Sequence, residues 1–384
     1  MKKIVIFYGA YGGGHVAAAN SIKNYIEKNY LEADVECIDC IQYINKYINK
    51  ISTEAYKELA KKTPHLWEHI YTKSNAGTLA LLSTTSNKVM AIKLKNLIKE
   101  IKPDLIISTH PFSSQMCAFL KKKNKINCDI ATVMTDFHIH NQWLYLPEFI
   151  DYFFVSNETM KQDMINKNIP EEKIFVTGIP VSPKFLQSFN KEEICDEFWL
   201  DKDKFTILFF GGGEFGLGRN TALITLKALI RLLPNTQIIA ISGKNKKMNK
   251  AFNDLVDETN SSDRVNILEY TDKVPELMSI SNLVVTKAGG LTITESLISN
   301  LPIIIINPIP GQEEENAEFL VNQNAAVWIK KNDSVAKIIK DFARHPEKLE
   351  DMKKTASTLA KPHATQNICD ILLSKNETED FEEI

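Results

Sequence analysis

The chain is written in short apolar runs separated by longer segments of helical period. KKIVIFY, DVECIDC, DLIISTH, DIATVMTD and DYFFVSN are brief and often rich in β-branched residues. Between them lie segments such as HVAAANSIKNYIEK, where Ile22 and Ile26 recur at helical spacing. Continuous apolar strands alternating with amphipathic helices predict a parallel sheet covered on both faces.

The rhythm then restarts. KIFVTGIPVSPKF closes the first half with Pro180 and Pro183, and the polar stretch QSFNKEEICDEFWLDKDK follows. FTILFFGGG, TQIIAISG, RVNILEY, NLVVTKAGG and LPIIIINPI then supply a second set of core strands. The expected fold is α/β, two doubly wound domains facing across a cleft, over residues 1–185 and 186–360, with a last helix and an acidic tail at 361–384. Residues 40–102 break the rhythm and read as a long helical insertion in the first domain.

Composition narrows the class. With 384 residues, 44% apolar and 24% charged, the chain can build two ordinary soluble cores. A net charge of -2 gives no reason to expect a nucleic-acid partner. No run approaches the roughly 18 apolar residues of a membrane span. Glycines interrupt the apolar stretch after Lys2 and Lys3, so no signal peptide is expected either. The six cysteines are scattered, with one CxxC at Cys37 and Cys40, which disfavours zinc and points to a reduced, cytoplasmic protein.

Three glycine turns follow strands: Gly12 to Gly14 in YGGGH, Gly211 to Gly213, and Gly289 to Gly290. A strand, a glycine turn and a helix mouth form an anion site, because glycine admits close approach and the first helical N–H groups favour negative charge. Three such turns in two doubly wound domains point to a phosphorylated ligand in the cleft. GGGEFG satisfies GxGxxG, but its second strand ends in Ser242 with no acid, and no GxxxxGK[ST] occurs, which weakens nicotinamide and ATP readings. In TKAGGLTITESL, Thr292 is placed to cap a helix and Glu295 to accept hydrogen bonds from a ribose diol; the T-x-x-E spacing fits a capping box equally well. In NPIPGQEEENAEFL, Gln312, Glu313 and Asn316 open a helix with the amides and carboxylate that a sugar's hydroxyls need, or simply with acids favoured by the helix dipole.

Together GGGH, VMTDFHIHNQW, VTGIPVSPKF, KAGGLTITES and PIPGQEEENA resemble bacterial processive diacylglycerol glucosyltransferases and plant monogalactosyldiacylglycerol synthases. More distantly they resemble the lipid-linked N-acetylglucosaminyltransferase of peptidoglycan synthesis. The likeness runs from about residue 4 to residue 373. It implies the GT-B fold, with a helix in HATQNICDILLSK crossing back to the first domain, and inverting transfer of a hexose, glucose first, from a UDP-sugar to diacylglycerol or a glycosyl-diacylglycerol. It implies donor contacts at Gly14, Gly212, Gly213, Lys287, Gly289, Gly290, Thr292, Glu295, Gln312, Glu313 and Asn316, with Ser242, Lys244 and Asn245 near the uracil.

An inverting transfer needs a base, and a histidine at a helix N-terminus is kept neutral and available. His15 is therefore the leading candidate, with Asp136, at the end of a strand, competing as base or as its orienting group. His110, at the end of a strand, is an acceptor-side candidate; the resemblance implies the same side for His140 and Trp143, whereas His138 falls outside the family's pattern and reads as a surface residue. The only DxD, Asp201 and Asp203, lies away from every glycine turn, which disfavours donor-metal coordination by that pair. The resemblance implies a leaving group met by helix ends and side chains, so no cofactor and no obligatory metal is expected. The insertion carries eleven lysines against four acids, interleaved with Tyr43, Tyr47, Tyr56, Trp67, Tyr71 and leucines, and Lys121 to Lys125 add a second basic run. That pattern suits an anionic membrane surface, contacted peripherally from the cytoplasmic side. A UDP-sugar 2-epimerase, a transferase using UDP-N-acetylglucosamine, a binding protein without turnover and a nicotinamide oxidoreductase are the alternatives.

Overall fold

The computed structural model describes residues 2–9, 13–44, 91–211 and 219–374. The apolar runs form two parallel sheets of six strands each. In the first, β1 (Lys2–Tyr8), β2 (Ala33–Asp39), β3 (Leu105–Ser108), β4 (Asp129–Val133), β5 (Tyr152–Val155) and β6 (Ile174–Val176) lie in the order 2-1-3-4-5-6. In the second, β7 (Phe205–Phe210), β8 (Thr236–Ile241), β9 (Val265–Leu268), β10 (Leu283–Thr286), β11 (Ile303–Ile306) and β12 (Ala326–Ile329) lie in the order 12-11-10-7-8-9. Eight helices matter below: α1 (Gly13–Asn29), α2 (Cys40–Ile44), α3 (Pro111–Lys122), α4 (Arg219–Leu232), α5 (Lys246–Thr259), α6 (Gly290–Ile298), α7 (Gln312–Asn322) and α8 (Ala364–Leu373).

Because both faces of each sheet are covered, alternate residues of one strand enter different cores. Val5 and Phe7 pack with Ile106, while Ile4 and Ile6 pack with Ile22, Ile26 and Ile107. Each fully buried side chain of this size contributes about 1.5–3 kcal/mol of transfer free energy. The last helix, α8, returns to the first domain, where Ile368, Cys369 and Leu372 join the Ile4 and Ile22 core. Tyr30 Oη donates to Asp370 at 2.6 Å and Lys2 Nζ to the Leu372 carbonyl at 2.9 Å, so the return is fixed by polar contacts as well.

In each sheet the chain reverses its direction of winding once, between β1 and β3 and between β7 and β10. Those are the topological switch points, where open α/β sheets bind ligands at the carboxyl ends of the strands. Helix α1 opens at the first, and α6 opens at the second. Strand β12, AVWI, is an element that the hydrophobic pattern did not reveal.

Of the expected insertion, Cys40–Ile44 and the helical residues 91–101 are described, and 45–90 lie outside the described residues. The start of α2 is fixed by Asp39, whose Oδ1 accepts from the Ile41 and Gln42 amides at 3.0 Å. It therefore begins on the edge of the sheet that carries the switch point. Among the described residues no helix is long and apolar enough to cross a membrane.

Candidate active site

The two switch points face one another, and backbone packs on backbone where they meet. A Cβ added to Gly290 would stand 2.0 Å from the Thr135 carbonyl oxygen, and one added to Gly14 would stand 3.1 Å from Leu291. Glycine at 290 is thus required for the domains to close on each other at this distance, whatever else its N–H group does.

At the first switch point α1 presents His15. Its Nδ1 lies 2.7 Å from the Thr109 carbonyl oxygen and 3.0 Å from Thr135 Oγ1. A carbonyl only accepts, so Nδ1 carries the proton and Nε2 keeps its lone pair. Nε2 has no hydrogen-bond partner among the described residues. Thr109 in turn donates its hydroxyl to the His15 carbonyl at 2.9 Å, tying the helix to the end of β3. Burial lowers the His15 pKa to about 4, with the Thr109 carbonyl opposing. The imidazole is therefore held neutral, with one nitrogen basic and one anchored.

His110 and Trp143 pack beside the His15 ring. The His110 ring meets His15 edge-on with centroids 4.5 Å apart, and Trp143, buried, lies 6.4 Å away. Expected on the acceptor side, His110 stands beside His15 and also caps α3, its Nδ1 accepting the Phe112 amide at 3.2 Å. His140 likewise caps a short turn through the Gln142 amide at 3.2 Å. Both caps have one cause: each histidine sits just before a helical turn whose first N–H groups need an acceptor.

At the second switch point the helix mouth is bare backbone. Gly289 is the N-cap of α6 and supplies no side-chain bond. Thr292 lies inside the helix and does not cap it, so the capping-box reading of Thr292 and Glu295 is overturned. Glu295 stands a full turn in, half-buried, and accepts no hydrogen bond among the described residues. Desolvation alone raises its pKa to about 8. Lys287, at the end of β10, pairs with Glu313 at 3.2 Å, and Glu313 also accepts the Ile309 amide at 2.7 Å.

Other expected donor residues are differently engaged. Ser242 is buried, its hydroxyl donating to the Leu268 carbonyl at 3.0 Å and accepting from Asn249 at 3.2 Å. Asn245 caps α5 through the Met248 amide at 3.1 Å. Ser242 is thereby closed to a base, whereas Asn245, half-buried, uses only its Oδ1 in the cap and keeps its amide N–H groups. Lys244 stands over the exposed Tyr270 ring, 5.1 Å from its centroid. Tyr270 follows β9 on the switch-point edge and was not anticipated; an aromatic residue just past a parallel strand was the available signal. Gly212 and Gly213 lie outside the described residues.

Asp136 does not orient His15. Its carboxylate faces the second domain, accepting from Gln312 Nε2 at 2.6 Å and Asn316 Nδ2 at 3.1 Å. Burial still outweighs these bonds and raises its pKa to about 6. Asn316, expected to meet the sugar, is fully buried between the domains. His138 is exposed and pairs with Glu315 at 3.3 Å, which raises its pKa. Asp201 and Asp203 form a turn before β7, on the opposite edge of the second sheet, where Asp201 accepts the Asp203 amide at 3.0 Å.

Comparison with known proteins places these features in context. Residues 15–181 match the model of monogalactosyldiacylglycerol (MGDG) synthase, and residues 206–368 match the glycosyltransferase family 28 C-terminal domain. The chain is 29% identical to a processive diacylglycerol beta-glucosyltransferase of Bacillus cytotoxicus over 380 residues, covering 97% of this chain and 94% of that one. Its likeness to the Bacillus mycoides protein of the same name is also 29%, over 98% of this chain and 95% of the other. Among solved structures, MnaA of S. aureus with UDP aligns with a TM-score of 0.67 at 15% identity, over 97% of this chain and 96% of that one. MurG of Acinetobacter baumannii aligns at 0.65 and 14% identity, over 96% and 98%.

Proposed function

Because the chain belongs to the GT-B glycosyltransferases that join an MGDG-synthase domain to a family 28 C-terminal domain, we propose that it moves glucose from UDP-glucose to diacylglycerol or a glycosyl-diacylglycerol, with inversion. The chain is a UDP-sugar glycosyltransferase; the sugar, the lipid and the base are what this reading adds. The observation that carries it is His15: an imidazole anchored through Nδ1, neutral, with Nε2 unpartnered among the described residues, on a helix mouth that packs against the glycine mouth of α6.

In this mechanism His15 Nε2 takes the proton of the acceptor hydroxyl as its oxygen attacks the anomeric carbon. The new C–O bond forms on the face opposite the departing UDP, which leaves with the electron pair of the broken C–O bond, so an α-linked donor gives a β-glycoside. The N–H groups at Gly290, and Lys287 beside them, meet the charge that grows on the diphosphate. Glu295 accepts both ribose hydroxyls, and the Lys244–Tyr270 surface lies where the base would rest. Gln312 and Glu313 offer the sugar an amide and a carboxylate. The leaving group is met by helix dipole and lysine, so the reading requires no resident metal.

The acceptor side supports a lipid. The segment 45–90 leaves the described structure at Ile44, on the crevice edge, and helix 91–101 runs back from that edge to the start of β3. Tyr43 and Ile92, near the two ends, are exposed apolar residues. With a local charge of +7 over 40–102, peripheral and salt-sensitive contact with an anionic bilayer on the cytoplasmic face follows. Lys125, just beyond the end of α3, shares a surface hollow with Lys99 and Lys102 at the far end of helix 91–101.

The test is incubation with labelled UDP-glucose, UDP-galactose or UDP-N-acetylglucosamine and vesicles of anionic lipid containing diacylglycerol. A β-glucosyl lipid is the expected product. No labelled lipid from any donor, or a UDP-sugar altered at C2 instead, would overturn the reading.

A further inference from the structure

Three consecutive residues of the first domain, Asp136, Phe137 and His138, read one face of α7 in the second. Their partners are Gln312, Glu315, Asn316 and Phe319, which fall at i, i+3, i+4 and i+7 and so share one stripe of the helix. Asp136 takes both amides, His138 pairs with Glu315, and the Phe137 ring stacks on Phe319 with centroids 5.4 Å apart.

Asn316 is the centre of this contact and is fully buried. Its Oδ1 accepts the Phe137 amide at 2.8 Å, and its Nδ2 donates to Asp136 Oδ1 and to the Ala288 carbonyl, each at 3.1 Å. Both amide protons and the oxygen are thereby used. Ala288 directly precedes the Gly289–Gly290 turn. Thr135, directly before Asp136, presses its carbonyl on Gly290 and presents its hydroxyl to His15 Nδ1. One side chain therefore joins the loop that positions the base to the turn expected to hold the donor's phosphates.

We propose that Asn316 is a positioning residue for glycosyl transfer: it sets the separation between His15 and the donor by locking the 135–138 loop to the 288–290 turn, and it does so without binding the sugar. The inference rests on the reading that His15 and Gly290 lie on the two sides of the reacting atoms. Misplacement of a base by about 1 Å costs on the order of a hundredfold.

The test compares the full-length protein with Asn316→Ala in three measurements: steady-state transfer to diacylglycerol vesicles, calorimetric UDP binding, and amide hydrogen exchange at Phe137. Asn316→Ala is expected to lower kcat about a hundredfold, to leave the KM for UDP-glucose and the Kd for UDP within threefold, and to speed Phe137 exchange at least tenfold. Asn316→Asp, which keeps the side-chain volume and the acceptor for Phe137 but loses both donors, carries the same expectation for kcat and serves if the alanine variant does not fold. A tenfold rise in KM with kcat preserved would make Asn316 a sugar ligand and overturn the proposal, as would an unchanged kcat or a lost affinity for UDP. If the wild-type protein transfers nothing to lipid, the functional reading fails on its own, and Phe137 exchange still judges the lock.

Discussion

The two switch points share an architecture and treat their buried titratable group in opposite ways. At the first, burial drives the His15 pKa down to about 4, while at the second it drives the Glu295 pKa up to about 8. Both groups are consequently uncharged near neutrality, for the same reason, the cost of charge away from water. They differ in what each would gain from a ligand. His15 already has one nitrogen anchored and can only take up a proton, whereas Glu295 has no partner and becomes a carboxylate once hydroxyls donate to it. The stability consequences carry opposite signs. The folded form binds fewer protons than the unfolded chain at His15 between about pH 6.5 and 4, so that term is lost as pH falls; at Glu295 it binds more between about pH 4.5 and 8, so stability falls as pH rises through that window. On the proposed reading, one fold element serves as a proton acceptor or as a hydroxyl receptor according to the side chain it desolvates.

The sharpest way to break the comparison is to remove the first group. His15→Ala is expected to lower transfer about a thousandfold, the usual scale of a lost general base, with UDP affinity within twofold by calorimetry. Equal loss of UDP binding would mean that both switch points serve the donor. In the wild type the acid limb attributable to His15 should lie near pH 4 rather than 6.5, read from kcat/KM in the range the protein tolerates. Next in size is Gly290→Ala. Its Cβ would stand 2.0 Å from the Thr135 carbonyl, so the domains must part, and turnover should fall about a hundredfold. Solution scattering of this variant should show a more open molecule; unchanged scattering and rate would remove the close approach from the argument.

What could be read in the chain beforehand divides along a physical line. The strands were legible because runs such as Ile303–Ile306 are apolar at every position, as a sheet buried on both faces requires. AVWI escaped because four residues, two of them half-buried, carry too little pattern. That His15 and Glu295 stand on helices opening at the two switch points was legible because strand–glycine–helix is a local signal. The residues whose engagement could not be read are those whose direction is set by tertiary contact. Ser242 ends a strand facing inward, and Asn316 is buried by a loop 180 residues away in sequence. Thr292 failed for a subtler reason: Gly289 already supplies the extended backbone of an N-cap, so α6 starts three residues before the sequence signal placed it.

Glu295→Gln sharpens the second half of the comparison with a smaller effect. The amide keeps the shape and one acceptor but cannot become an anion, so UDP affinity should drop about tenfold at pH 8.5, the scale of one charge-assisted hydrogen bond. At pH 6.5 the loss should be less, because the wild-type carboxyl must first release a proton to receive the ribose. Wild-type affinity is therefore expected to strengthen from pH 6.5 to 8.5 relative to the variant and to level off above about 8. Since the UDP phosphate titrates identically in both proteins, the ratio of the two affinities isolates Glu295, and a flat ratio would show that the carboxyl is not the ribose receptor.

The smallest expected effect tests how His15 is held. Thr135→Val removes the hydroxyl 3.0 Å from Nδ1 while keeping side-chain shape and the carbonyl that presses on Gly290. The Thr109 carbonyl, closer at 2.7 Å, still fixes the Nδ1 proton, so the tautomer and the basic Nε2 survive. Only orientation is weakened, and one neutral hydrogen bond is worth about 0.5–1.5 kcal/mol, or roughly two- to tenfold in kcat. Affinity for UDP should be untouched, because nothing at the second switch point is altered. A loss approaching that of His15→Ala would instead mean that Thr135, rather than Thr109, sets which nitrogen of His15 is free.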